Sequence, residues 1–293
     1  MKKFEFTYQT YNYAPPADLE TKDLFKKDYK VPRESPIDKF HKKTPELNKL
    51  ISPYLKKPDE SIPPQLANLI LLGYVSAVES YFREVIGRLI FFDEASMLAC
   101  EDKAISYGAA ITHSRLEELP EVLLENCSFA NESNIKDSLR TFLGIKGNFP
   151  DEVEEVLKPF SKVCQLRHCI VHRFGKLGSN NAIKLGLKEH KESLAKPINL
   201  DEKALQDIFT VCTNTVKIIN DFLFRKVLTR SAQGKLTDWS WDFRKDKNRF
   251  KKYCDIFFSN IEPPSSHGTL KDVYNKFRKA FRVNNETKFR YIL

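Results

Sequence analysis

The chain has 293 residues, enough to bury a substantial core in one large domain with appendages. Apolar residues make up 41% of it and are spread along most of its length, which argues against a mainly disordered chain. No apolar run approaches the ~20 residues of a membrane-spanning helix, and the formal charge of +9 points to an anionic partner or a solubilising basic surface.

The stretch from Met1 to Thr7 lacks the apolar segment of a secretory signal, and the six scattered cysteines include no Cys-x-x-Cys pair. A cytoplasmic protein with reduced, buried thiols is the expectation. Residues 225–293 hold 17 Lys and Arg against 7 Asp and Glu, a net of +10, whereas residues 1–224 hold 31 against 32. By this tally the excess positive charge lies at the C-terminal end.

Taken in chain order, residues 1–60 read as an N-terminal elaboration that wraps the core without building it. Phe4 to Gln9 alternates as a strand would, and Pro15, Pro16, Pro32, Pro36 and Pro45 follow. Ser61 before two prolines supplies a helix start. From Leu66 to Phe92, Leu71, Tyr74, Val78, Phe82, Val85 and Leu89 recur at helical spacing, with Glu79 and Arg83 placed as an i,i+4 ion pair on the other face. Shorter helices are expected over about 100–112, 115–125 and 134–143, then a helix pair from Asp151 to Phe174 broken or kinked at Pro159. Ala182 to Leu187 reads as a short strand or arm. The run Asn199-Leu-Asp201 caps a last long helix running to about Leu228. The fold class is all-α: an up-and-down helical bundle over 61–230, with a basic, aromatic helical extension over 231–293.

In that extension Trp239, Trp241, Phe243, Phe250, Tyr253, Phe257 and Phe258 alternate with cations, of which Lys245, Arg249 and Lys252 are the candidate RNA-binding residues. The aromatics can stack bases, or they can cover the bundle with the charges outward; Phe250, Tyr253, Phe257 and Phe258 follow the helical spacing of a covering face.

One local feature carries chemistry. His168 and His172 fall four apart, beside Arg167 and just before glycines that end a helix. An imidazole gives or takes a proton near neutral pH, and a guanidinium offers a planar fork for phosphate oxygens, which suits phosphoryl transfer on RNA. Cys164, His168, Cys169 and His172 are also metal-ligand types, but no second Cys/His cluster completes a zinc site, and no metal or cofactor is expected. Neither a Gly-rich phosphate loop nor a nucleophile elbow is present.

The run Arg167-His-Cys-Ile-Val-His172 resembles the Arg, polar residue, short spacer, His motif of the HEPN superfamily of ribonucleases. Val78–Ile86 and Val216–Phe224 look like the first and closing core helices of that fold, so the resemblance covers about residues 61–230. It implies a homodimer in which two motifs meet in one cleft as a composite, metal-independent endoribonuclease site. His172 is then the general acid or base, Arg167 holds the scissile phosphate, His168 orients either of them, and Glu79 buttresses Arg167. The resemblance also implies a toxin or antiviral-defence effector, with RNA as substrate and an antitoxin or regulatory protein as partner. Some relatives carry a modifiable tyrosine two residues beyond the motif histidine. Phe174 stands there in this chain, so a neutralising partner is expected to act by occlusion. The competing reading is a non-catalytic module of the same fold that binds RNA, nucleotides or protein.

Overall fold

The computed structural model describes residues 8, 10–12, 14, 15, 17–30, 32–55, 61–112, 115–234, 236–263 and 268–289, with side chains of the last helix described as far as residue 281. The alternation expected over residues 4–9 lies outside these except for Tyr8. The chain divides after Arg33 into two units, Met1–Arg33 and Glu34–Leu293. In the first, Leu19, Leu24, Phe25 and Tyr29 are all exposed.

The described part of the second unit is all-α. Its helices are α1 (Pro36–Leu55), α2 (Pro64–Phe92), α3 (Glu94–Cys100), α4 (Tyr107–Thr112), α5 (Leu119–Leu124), α6 (Glu132–Leu143), α7 (Asp151–Arg173), α8 (Ser179–His190), α9 (Glu202–Gln233), α10 (Phe243–Phe257) and α11 (Leu270–Phe289). Among the described residues none of these helices is long and apolar enough to cross a membrane.

The centre is α2, whose apolar positions recur so closely that thirteen of its side chains are buried. It begins at Pro64 with Pro63 in the capping position and no side-chain cap, so Ser61 does not play the capping role its position suggested; proline's fixed φ and missing amide hydrogen suit the first turn without help. Around it, α9 runs parallel, as the Tyr81 hydroxyl donating to Asn220 (3.3 Å) and the Asp93–Arg230 ion pair show at successive levels. In contrast, α1 and α7 run antiparallel to these two. Lys39 meets Glu84 at 2.6 Å while Asn48 meets Tyr74, and Thr215 bonds the Val156 carbonyl while Arg225 meets Glu152.

Helix α1 corrects the expectation that residues 1–60 only wrap the core. Ile37, Phe40 and Ile51 are buried in it, and α1 approaches α2 so closely that a Cβ on Gly73 would lie 2.8 Å from Leu47. Its prolines misled the sequence reading: Pro36 sits where no amide hydrogen is needed, and Pro45 and Pro53 are carried inside a helix that packing holds together. The same holds for α7, one continuous helix through Pro159, because Val153, Leu157, Phe160, Val163 and Cys164 are buried on either side of it.

The C-terminal helices are fastened to this core by polar as well as apolar contacts. Asp93 is 1% exposed and accepts from the Tyr253 hydroxyl at 3.0 Å as well as pairing with Arg230. Asp38, buried at the start of α1, accepts from Ser259 Oγ (2.6 Å) and from the backbone amides of Asn260 and Ile261, all beyond the end of α10. Burial alone would push its carboxyl up; those hydrogen bonds outweigh it and hold the group below its ordinary value.

Candidate functional site

The last two turns of α7 carry Arg167, His168 and His172. Part of this stretch and the turn before it is committed to packing, with Cys164, Cys169 and Ile170 buried. Cys169 joins Leu177 and Ala182 in a small cluster that fastens α8 to the end of α7. Asn181 of α8 adds a bond from its Nδ2 to Gln165 Oε1 at 3.2 Å. The connection is closed by paired backbone, in which Leu177 and Ile198 donate to the carbonyls of Lys196 (3.0 Å) and Gly175 (2.8 Å). The expected strand or arm at 182–187 is thus a helix, bent at Gly186 (φ 109°). Ile183, Leu185 and Leu187 alternate in sequence, yet Ile183 and Leu187, four apart, are exposed while Leu185 packs inward.

One and two turns beyond Cys164, where the helix runs out of its packing, the imidazoles of His168 and His172 lie 6.0 Å apart between ring centroids. Arg167 and His168 are half-buried and His172 is exposed. Among the described residues none of the three side chains makes a hydrogen bond or ion pair. Burial, together with the charges of Arg167 and Lys184, holds His168 below the ordinary histidine value, with Glu79 opposing. His168 is accordingly a neutral proton acceptor at neutral pH.

The helix ends in an uncommon way. Phe174 takes the left-handed C-cap conformation (φ 51°), where glycine is favoured, and its ring is 86% exposed. Gly175 follows at φ 87° against α2, where a Cβ would come 3.3 Å from Asn68.

Glu79 is turned to another task. It accepts from the Phe129 amide at 3.0 Å and makes no described ion pair with Arg167. Nor does it pair with Arg83, whose guanidinium instead bonds the carbonyls of Leu124 and Cys127. Both charges tie down the segment before α6, a long-range use that helix spacing does not reveal. Glu79 is still felt at His168, where its charge favours the protonated form.

Lys245, Arg249 and Lys252 lie elsewhere. Asn68 touches the motif end, whereas Glu94, just past the end of α2, meets Arg249 at 3.8 Å. Twenty-five residues of helix from Asn68 to Asp93 span about 37 Å at ~1.5 Å each. Arg249 is also bonded to the Asp238 carbonyl at 2.7 Å and lies over Trp239, while Lys245 and Lys252 are exposed. The aromatics between them face inward: Trp239, Phe250, Tyr253 and Phe257 are buried.

The sequence tally missed a second basic region because it averaged over residues 1–224. Residues 162–196 alone hold eight Lys and Arg against Glu189 and Glu192, a net of +6. A shorter window centred on the motif would have found it.

Among the described residues no three His, Cys, Asp or Glu side chains gather as a metal site. Burial pushes the Cys164 thiol far above its usual range, which makes it a poor source of thiolate. A cleft of about 370 Å³ opens between α1, α9, α10 and α11, lined by His41, Asp221, Phe224 and Lys276, and contains none of the motif side chains. Comparison with protein-family models, with curated proteins and with solved structures finds no match to this chain.

Proposed function

We propose that the protein is a metal-independent endoribonuclease of the HEPN type, acting as a homodimer in which two α7 ends share one cleft. The observation that carries this reading is the open, uncommitted cluster of Arg167, His168 and His172 on one face of α7. Burial of the motif inside one protomer would have ruled the reading out, and His172 is exposed. The alternating directions of α1, α2, α7 and α9 support the up-and-down bundle this reading requires. Exposed Val171, Ile183 and Leu187 beside the motif give a second copy apolar surface to meet.

In the proposed reaction a ribose 2′-oxygen attacks the adjacent phosphorus and the bond to the 5′-oxygen breaks. An imidazole accepts the 2′-hydroxyl proton, a second imidazole donates one to the departing 5′-oxygen, and the Arg167 fork stabilises the negative charge gathering on the phosphoryl oxygens. The products carry a 2′,3′-cyclic phosphate and a 5′-hydroxyl. His172 is the acid–base residue of each protomer, and His168, held neutral, orients it or the phosphate. By resemblance, the biological role is that of a toxin or antiviral-defence effector restrained by a partner that occludes the cleft.

The test is incubation of purified protein with single-stranded RNA in a chelator. Cleavage is expected, with cyclic phosphate ends, and His172→Ala should slow it by roughly 10²–10⁴-fold. RNA that is bound but left intact by the natural protein would point instead to a non-catalytic binding module.

A further inference from the structure

The cations around the motif differ from most others in the molecule. Of the eight Lys and Arg between 162 and 196, none uses its side chain in an ion pair or hydrogen bond among the described residues, and all but Arg167 are exposed. Along α10, by comparison, Arg244, Arg249 and Lys251 are held by Asp242, Glu94 and Asp255. Like charges gathered on one short stretch repel one another, and among the described residues no ion pair offsets that repulsion. Lys184 is close enough to His168 to disfavour its protonation, so this field reaches the proposed site.

Phe174 is the second observation. Its backbone takes a conformation that costs a non-glycine residue, and its ring packs against almost nothing, so neither local geometry nor burial accounts for a phenylalanine here. It stands two residues from His172 with Arg173 and Lys176 close to it in the chain, both exposed.

We infer that this end of the molecule is a docking surface for single-stranded RNA, in which Lys176 and Lys184 contact phosphates and the Phe174 ring stacks a base next to the scissile linkage. Cations that track a backbone beside an outward aromatic are what single-strand binding requires, and the surrounding charge favours a polyanion over an apolar partner at the ring. The inference rests on the nuclease reading for the word scissile, but the binding surface can be tested without cleavage.

The probe is a fluorescein-labelled 12-nucleotide RNA with 2′-O-methyl riboses throughout, which has no free 2′-hydroxyl to attack and stays intact. Binding to the full-length protein is measured by anisotropy at several salt concentrations. Lys176→Glu/Lys184→Glu is expected to weaken binding at least tenfold and to reduce the salt slope by about 1.4, near 0.7 per lost phosphate contact. Lys103→Glu/Lys146→Glu, an equal charge change on exposed lysines away from the motif, is expected to alter affinity less than threefold. Phe174→Gly should weaken binding roughly 5- to 150-fold, with Phe174→Trp restoring it. Since glycine suits the left-handed position, an unchanged or higher Tm will show that this loss does not come from unfolding.

Several outcomes overturn the inference: no binding of the probe, equal losses from the two double variants, loss following Lys245→Glu/Lys252→Glu while Lys176→Glu/Lys184→Glu is spared, or binding to phosphatidylserine vesicles in place of RNA. A Phe174→Gly protein that falls from dimer to monomer in sedimentation would assign the ring to the contact between copies and overturn its stacking role. Probe binding that responds as expected, in a protein that leaves ordinary RNA uncut, would keep the docking surface and remove the nuclease reading. Cleavage that survives Lys176→Glu/Lys184→Glu unchanged would do the reverse.

Discussion

Two regions of this molecule combine basic and aromatic residues, and the structure uses them in opposite ways. Along α10 the rings of Phe250, Tyr253 and Phe257 turn inward against Trp239, Tyr274 and Phe224, while half of the helix's six cations are held by neighbouring carboxylates. At the end of α7 the single ring of Phe174 turns outward and its neighbouring cations make no ion pair among the described residues. Both places are rich in cations, and position relative to the helix decides where a ring goes. Rings three and four residues apart within a helix share a buried stripe, whereas a ring just past the last turn has no helix face to join.

The difference can be broken most sharply at Phe250. Fully buried against Tyr274 and Phe277, it should cost about 3–5 kcal/mol of stability when changed to alanine, measured by denaturant unfolding, as expected of a core aromatic. A near-neutral result would mean that α10 is a docked appendage and not part of the core. At the other region, Arg167→Lys should leave stability unchanged while lowering the RNA cleavage rate by about 10- to 100-fold, because an ammonium cannot reproduce the guanidinium fork. Full activity in that variant would remove the phosphate-holding role.

Phe174→Gly is expected to raise stability by up to about 1 kcal/mol, seen as a higher Tm, since it relieves a left-handed phenylalanine without emptying any packed space. A lower Tm would show that the ring is packed in solution. The smallest effect is electrostatic. His168 has a folded-state pKa below its unfolded value, so the unfolded chain binds the proton more tightly and stability falls as pH drops through about 6.5. His168→Gln should therefore flatten the acid side of the stability curve between roughly pH 7 and 5. His41, buried and shifted the same way, stays in both proteins and cancels in the comparison. Superimposable curves would show that His168 titrates as if exposed.

Much of the fold could be read from the sequence where apolar periodicity is long. The stripes of α2 and α9 set these helices to within a few residues, and Asp201 caps α9 as its side-chain chemistry suggests, accepting from the Ala204 amide at 2.8 Å. Errors arose where a local signal competed with packing. Proline counts hid α1 and divided α7, and the alternation of Ile183, Leu185 and Leu187 imitated a strand in what is a helix bent at Gly186. The motif was visible as a cluster, but its surroundings were not. Glu79 and Arg83 looked like partners by spacing, whereas each reaches across to a segment more than forty residues away.

The carboxylate of Asp38 has a further consequence. It is held by a turn some 220 positions later in the chain, and those donors keep a buried negative charge tolerable. A fragment ending near residue 230 would retain the acid and lose all of these donors. Shortening the protein to its central bundle would therefore take away both the donors and the chain that covers this acid, so a minimal version has to begin by giving residue 38 new partners.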